Sequence, residues 1–170
     1  VAVVRVDQGN LTSAQMRAIA AISENAGDGL LRIGIDQNLM LAWIPLRNLK
    51  RVYAALKLAG LDAAGAGQIE DVTTCPGAYS YSLALTKSMN LGAALSETVA
   101  RYTSERVRSL SVKISGCPNA CGQHWIADFG FYGNARKVDG REIPYYQMLL
   151  GGGYDRQGIL RFGYAVESVP

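Results

Sequence analysis

The stretch SGCPNACGQHW, residues 115 to 125, sets Cys117 and Cys121 close together and follows them with His124, the chain's only histidine. Two thiols at this spacing suit a metal or cluster site, a redox pair, or plain burial in a core. The choice turns on other sulfur and on what the rest of the chain is built to hold. One further cysteine exists, Cys75, in VTTCPGAYSYSLALTKS, residues 72 to 88. Both segments place Cys-Pro in a loop, TTCPG and SGCPN. Proline fixes such a turn and removes one backbone donor, while the N–H groups that follow stay free to point at sulfur. That arrangement suits an iron–sulfur cluster, whose potential responds to hydrogen bonds on its sulfurs and to exclusion of water. A loop that turns tightly after Cys117 brings the Cys121 thiolate to the same small inorganic core. Unreactive buried cysteines and a redox or zinc site stay open as alternatives. Zinc is weakened by the single histidine, which lies awkwardly close to Cys121. His124 reads as a satisfied structural histidine ahead of a ligand or proton donor.

The surrounding composition bounds the answer. The chain has 170 residues, 49% apolar and 18% charged, which is enough for one medium or two small folded domains with a core of their own. No apolar run approaches the ~20 residues of a membrane helix, and no secretory leader is visible. The expectation is a cytoplasmic chain with no membrane partner. A net charge of +3 with 17 scattered basic residues reads as a solvated surface rather than a nucleic-acid patch. An odd number of cysteines argues against a disulfide framework. The sequence starts at Val1 and stops at Pro170, so it reads as a piece of a longer polypeptide.

Working outward from the cysteine loops, LSVKIS (110–115) alternates Leu110, Val112 and Ile114 against Ser111, Lys113 and Ser115 and predicts a strand running into Gly116. WIADFGFYG continues as extended structure, Asp139-Gly140 marks a hairpin turn, and YYQMLL is a further strand ending on Gly151, Gly152 and Gly153. Those three glycines let backbone approach a flat or phosphorylated ligand, or else form a mobile loop. No GxGxxG fingerprint supports a dinucleotide. Leu83 to about Arg108 reads as helix, interrupted near Asn90 and Gly92. Toward the start, VAVVRV predicts a strand, and TSAQ, with Thr12 and Gln15, predicts a capping box opening a helix that runs to Gly27. LRIGI predicts a half-buried strand that turns Leu31, Ile33 and Ile35 inward, LMLAWI another, and Leu46 to Leu56 a second helix closed by Gly60. The small-residue stretch DAAGAGQ predicts a domain boundary. The fold class is α+β.

These residues together resemble the siroheme-dependent nitrite and sulfite reductases over nearly the whole chain. VDQGNLTSAQMRAIAAISENAGDGLLRIGIDQNLMLAWIPLRNLKRVYAAL, with its Gln37-Asn38 pair, is similar to that family's ferredoxin-like half domain, residues 1–62. IEDVTTCPG through SGCPNACGQHWIADFGFYG to YYQMLLGGG is similar to its mixed α/β iron–sulfur and siroheme domain, residues 63–170, here C-terminally truncated. The resemblance implies a 4Fe-4S cluster held by four cysteines, with Cys75 opening one pair and Cys117 and Cys121 forming the other. It implies that Cys121 bridges to siroheme, and that Asn119 and Gly122 line the shared pocket. Gln37, Asn38, Gly151, Gly152 and Gly153 are expected against the macrocycle or its carboxylates. It implies electrons from a ferredoxin or a nicotinamide-dependent reductase, and nitrite or sulfite as the reduced anion. It also implies a homologous other half, or a second copy, supplying most of the anion's cationic ligands.

Tyr81 departs from this pattern, standing where the family's second cluster cysteine falls. It implies one unusual ligand, a three-iron cluster, or a collapsed site in a catalytically silent assembly module. A cluster-only electron carrier is a further alternative. Arg32 and Lys113 read as exposed polar strand positions, solvated or carboxylate-paired, with no assigned place in an anion pocket.

Overall fold

Branched residues at the start form β1 (Ala2–Val4), which lies against β3 (Leu39–Leu41), and β3 pairs in turn with β2 (Leu31–Ile33), all antiparallel. Helix α1 (Ser13–Ala26) opens on the expected capping box: the Gln15 N–H donates to Thr12 Oγ1 at 3.2 Å and the Thr12 N–H donates to Gln15 Oε1 at 3.0 Å. Such a cap is worth about 1 kcal/mol. Pro45 precedes a short 3₁₀ turn, Leu46–Asn48, that feeds α2 (Leu49–Leu58), and Gly60 ends it with φ +66°. Ile19, Ile22, Val52 and Leu56 from the two helices bury Val4, Leu39 and Leu41 of the sheet. This first unit spans Val1–Ala66, and a second spans Gly67–Pro170; they meet inside the DAAGAGQ stretch. The structure, a computed structural model, describes all residues from Val1 to Pro170.

The second unit is built on a five-stranded sheet of order β10-β7-β6-β5-β4. β4 (Thr73–Thr74), β5 (Val112–Ser115) and the start of β6 (Phe129–Val138) run parallel. β7 (Arg141–Leu150) and β10 (Tyr164–Val169) complete it antiparallel, with a small β8–β9 pair (Gly153–Tyr154, Leu160–Arg161) alongside. Asp139 and Gly140, both at positive φ, make the two-residue β6–β7 turn, as this dipeptide predicts. Helix α3 (Ser88–Val99) covers one sheet face, where Leu91, Leu95 and Val99 pack on Val112, Ile114 and Phe131. The other face lies under the connection from β5 to β6, which carries Cys117, Cys121 and His124.

Three expectations need correction. LRIGI does not turn its isoleucines inward: β2 stops at Ile33 and the chain reverses through Gly34–Gln37, leaving Ile33 74% and Ile35 64% exposed at the sheet edge. The segment from Leu83 is not one helix broken near Asn90 and Gly92, since α3 passes straight through both. The break falls after Ala100, before a short α4 (Glu105–Arg108), while Leu85 and Thr86 give their N–H groups to the Gly116 carbonyl instead of to a helix. Lys113 is not exposed. It retains only 6% of its surface, because β5 has a parallel neighbour on each side and both sheet faces are covered.

Candidate cofactor site

Parallel pairing decides where the cysteines go. Thr73 pairs with Lys113 and Thr74 with Ile114, so β4 and β5 release their next residues at the same end of the sheet. Cys75 follows one strand, and Gly116-Cys117 follows the other. The carboxyl ends of parallel strands are the ordinary location of ligand sites in such sheets. Here the two loops touch directly: the Gly116 N–H donates to Cys75 Sγ at 3.1 Å. The Cys75 N–H donates to the Ile114 carbonyl at 3.1 Å, Ser88 Oγ donates to the Cys75 carbonyl at 2.7 Å, and the same hydroxyl lies 3.6 Å from the sulfur. The Gly116 N–H is therefore the donor aimed at this sulfur, while the Ser88 hydroxyl proton is committed to the Cys75 carbonyl.

Glycines make this closeness feasible. A Cβ on Gly116 would stand 2.5 Å from Gly77 Cα, and one on Gly133 would stand 2.2 Å from the Gly116 carbonyl oxygen. That carbonyl also accepts the Leu85 and Thr86 N–H groups and the Thr86 hydroxyl. Tyr146 is half-buried beside Thr86 and Cys75. Burial pushes its phenol up, the Thr86 hydrogen bond opposes this, and Cys75 adds to the rise.

The second loop curls through two left-handed residues, Ala120 and Gln123, both at φ +60°, with the Gln123 N–H closing onto the Ala120 carbonyl. Ser115 Oγ pins its base, accepting the Gly122 N–H at 3.0 Å and lying 2.8 Å from His124 Nδ1. A Cβ on Gly122 would meet the Ile114 oxygen at 2.0 Å, so this glycine has a packing reason to be there. Lys113 Nζ donates to Thr73 Oγ1 at 3.4 Å and to Gln123 Oε1 at 3.3 Å. It thus places a buried cation between the stem of the Cys75 loop and the end of the Cys121 loop. His124 is fully buried between Tyr132 and Trp125, at ring-centroid distances of 4.9 and 5.4 Å, and its Nε2 has no hydrogen-bond partner. Burial pulls its pKa down to about 4, so it is neutral.

Of the residues singled out from sequence, Cys75 and Cys117 are buried where their loops meet, and Cys121 is exposed. Asn119 is exposed at the tip of its loop. Gly151 and Gly153 have positive φ with open space where a side chain would be, whereas Gly152 is packed on the Trp125 and Ala127 backbone. Gln37 and Asn38 belong to the first unit, where Gln37 has φ +68° and Asn38 Oδ1 accepts the buried Val6 N–H at 2.9 Å. Arg32 is carboxylate-paired through both guanidinium nitrogens with Asp28, whose carboxyl is held low by that bond. No three His, Cys, Asp or Glu side chains stand close enough to hold a single metal ion. Sequence reasoning missed Ser88, Thr86 and Ser115 as supports of the sulfur loops. Only the parallel register of β4 and β5, which alternation does not encode, brings them together.

Comparison with known proteins follows the same division. Residues 2–59 match the nitrite/sulfite reductase ferredoxin-like half domain, and residues 65–165 match the nitrite and sulphite reductase 4Fe-4S domain. The ferredoxin–nitrite reductase of Synechococcus elongatus is 27% identical over 97% of the chain and 33% of its own length. The chloroplastic enzyme of that name from Zea mays is 29% identical over 97% of the chain and 29% of its length. A sulfite reductase [ferredoxin] of Mycolicibacterium paratuberculosis is 25% identical over 88% of the chain and 28% of its length. Among solved structures, the Mycobacterium tuberculosis NirA protein superposes with TM-score 0.79 at 23% identity, covering 98% of this chain and 32% of its own. The dissimilatory sulfite reductase I structure gives 0.78 at 11% identity, covering 99% and 57%. The chain thus spans about a third of the length of these curated relatives. It belongs to the nitrite and sulfite reductase family, oxidoreductases whose cofactors are a 4Fe-4S cluster and siroheme.

Proposed function

We propose that this chain is the cofactor-holding part of a reductase of nitrite or sulfite, with Cys75, Cys117 and Cys121 as thiolate ligands of an iron–sulfur cluster beside siroheme. The observation that carries the reading is the 3.1 Å hydrogen bond from the Gly116 N–H to Cys75 Sγ, which ties sulfur loops 41 positions apart to one point. The donor set fits in part: three thiols stand on adjacent loops, and glycines hold the backbone close. When bound, the cluster and siroheme would supply the electrons for reduction of nitrite or sulfite.

The protein's own work is positional. The Gly116 N–H orients and polarises the Cys75 sulfur, the Ser88 hydroxyl holds the Cys75 backbone, Ser115 fixes the curl that carries Cys121, and the Lys113 cation offsets negative charge gathered between the loops. Asn119, Gly122 and Gly151 to Gly153 line the siroheme pocket from the second domain, residues 63–170. Electrons arrive from a ferredoxin, as the names of the relatives suggest, or from a nicotinamide-dependent reductase. A homologous other half or a second copy of the chain supplies the remaining cationic groups around the anion.

A second reading, a silent assembly module, is favoured by one fact alone: Tyr81 and a total of three cysteines. The absorption spectrum of the anaerobically purified chain separates the readings. Siroheme bands in the red and near-ultraviolet, with siroheme recovered by acid extraction, support the reductase. A broad brown shoulder alone indicates a cluster-only carrier, and a colourless protein indicates the silent module.

A further inference from the structure

Two strands of the second unit run on past their neighbours. β6 pairs with β5 only as far as Tyr132, and β7 pairs with β10 only as far as Tyr146. From Asn134–Tyr145 to Val138–Arg141 the two pair with each other alone and form an arm closed by the Asp139-Gly140 turn. Every residue from Arg136 to Pro144 is exposed. Because β6 runs parallel to β5, the arm leaves at the end where β5 delivers Gly116 and Cys117. Its root touches that loop, since a Cβ on Gly133 would stand 2.2 Å from the Gly116 oxygen.

The register sorts the arm's charges by face. Side chains directly opposite in an antiparallel pair share a face, and successive residues alternate. Arg136 therefore shares a face with Ile143, Val138 with Arg141, and Asn134 with Tyr145. Followed back along β6, this is also the face of Tyr132, whose ring lies 4.9 Å from His124 in the connection that carries Cys117 and Cys121. Lys137 falls on the opposite face, directly across from Glu142. The strand carboxylate and its cation thus sit on one side, and Arg136, Arg141, Tyr145 and two aliphatic side chains on the other. Arg136 lies over the Tyr145 ring at 5.4 Å, a contact that restrains its guanidinium. Arg5, Arg32 and Arg108 are paired with carboxylates, whereas Arg136 and Arg141 are not. Arginine and tyrosine are the side chains enriched at the energetic centres of protein interfaces, and a guanidinium fork matches a carboxylate.

Resting on the reductase reading above, we propose that this face of the β6–β7 arm is the docking surface for the electron carrier, and that the carrier is a small protein with a carboxylate-rich surface. Charge selects the partner. A basic carrier would be repelled by Arg136 and Arg141, while carboxylates of an acidic one would take their forks and Val138, Ile143 and Tyr145 would supply apolar contact. Placement selects the role. The arm stands at the carboxyl ends of β4 and β5, so a protein seated on it lies beside the sulfur loops. Attraction of this kind speeds encounter and fades with salt.

The test uses the full chain as purified, with an acidic two-iron ferredoxin as the probe and calorimetric titration at about 50 mM and about 500 mM NaCl. The expected result is saturable binding that weakens about tenfold at the higher salt. Arg136→Gln and Arg141→Gln each weaken it about fivefold or more at the lower salt, while Lys137→Gln, the same loss of charge on the opposite face, stays within about twofold. Arg141→Gln leaves the Arg136–Tyr145 contact in place, so it removes charge without loosening the arm. Absence of binding overturns the proposal. Equal weakening by Lys137→Gln overturns it as well, because net charge alone would then attract the probe. Self-association of the chain that Arg141→Gln abolishes would give the face to a second copy, and also overturns it. The visible spectrum of the same preparation keeps the two readings apart. A colourless chain that binds the probe as described supports the docking surface and sinks the reductase, whereas a coloured chain that does not bind keeps the reductase and loses the surface.

Discussion

Gly133→Ala is expected to destabilise the second unit by about 3 kcal/mol and to abolish iron uptake, although it adds a single methyl group. Gly133 sits on β6 with its bare Cα against the two cysteine loops. The new Cβ would fall 2.2 Å from the Gly116 oxygen and 2.4 Å from Thr86 Oγ1. Neither atom is the loose end of a flexible chain. The Gly116 carbonyl is fixed by the Leu85 and Thr86 N–H groups and by the Thr86 hydroxyl, and the neighbouring Gly116 N–H is bonded to Cys75 Sγ. Relief therefore requires β6 to move away from β5 or the Cys117 loop to move away from the Cys75 sulfur. Gly140→Ala is the control. There a methyl group meets nothing within 4 Å, and the expected loss is about 1 kcal/mol from its positive φ. Urea unfolding followed by circular dichroism measures both. A Gly133→Ala protein within about 0.5 kcal/mol of the parent would mean that the loops are not packed as described.

Stability should also fall steeply in mild acid because of His124. Its folded-state pKa of about 4 lies below the 6.5 of an exposed histidine, so the unfolded chain binds a proton more readily than the folded one. The contribution of the neutral, buried ring is fully present above pH 6.5. It declines by about 1.4 kcal/mol per pH unit as pH falls toward 4, then levels off, for a total near 3 kcal/mol. The cause is burial between Tyr132 and Trp125, with Ser115 Oγ as the single hydrogen-bond partner and no partner at Nε2. Urea midpoints at pH 7.5, 6, 5 and 4.5 measure the slope, and His124→Gln should flatten it over that range. A parent whose midpoint does not change between pH 7.5 and 5 would place the ring in water.

Much of this was readable from residues whose physics is local. The Thr12 and Gln15 capping box and the Asp139-Gly140 turn depend on a few neighbours each, and each took its expected form, whereas the N–H on the Cys75 sulfur comes from Gly116 of the other loop and not from a residue after Pro76. Misreadings came where a face is decided by distant chain. Val112 and Ile114 alternate with Lys113 and Ser115 as a half-exposed strand would, yet all four are buried, because the loop from Gly116 to Asp128 folds back over the polar side. Ile33 and Ile35 alternate just as clearly but lie at an edge where the chain turns away. The glycines show the same limit. Gly116, Gly122 and Gly133 look interchangeable in sequence, and only the parallel register of β4, β5 and β6 shows which carbonyl each one accommodates.

Sulfur from the loop after β4 and sulfur from the loop after β5 are proposed to serve one inorganic centre. Iron and acid-labile sulfide in anaerobically prepared Cys75→Ala, Cys117→Ala and Cys121→Ala proteins test it most directly, with circular dichroism confirming that each is folded. Each single change is expected to remove the iron, the sulfide and the visible absorption together. Parental iron and colour in the Cys75→Ala protein would contradict it, because the two loops would then hold separate things.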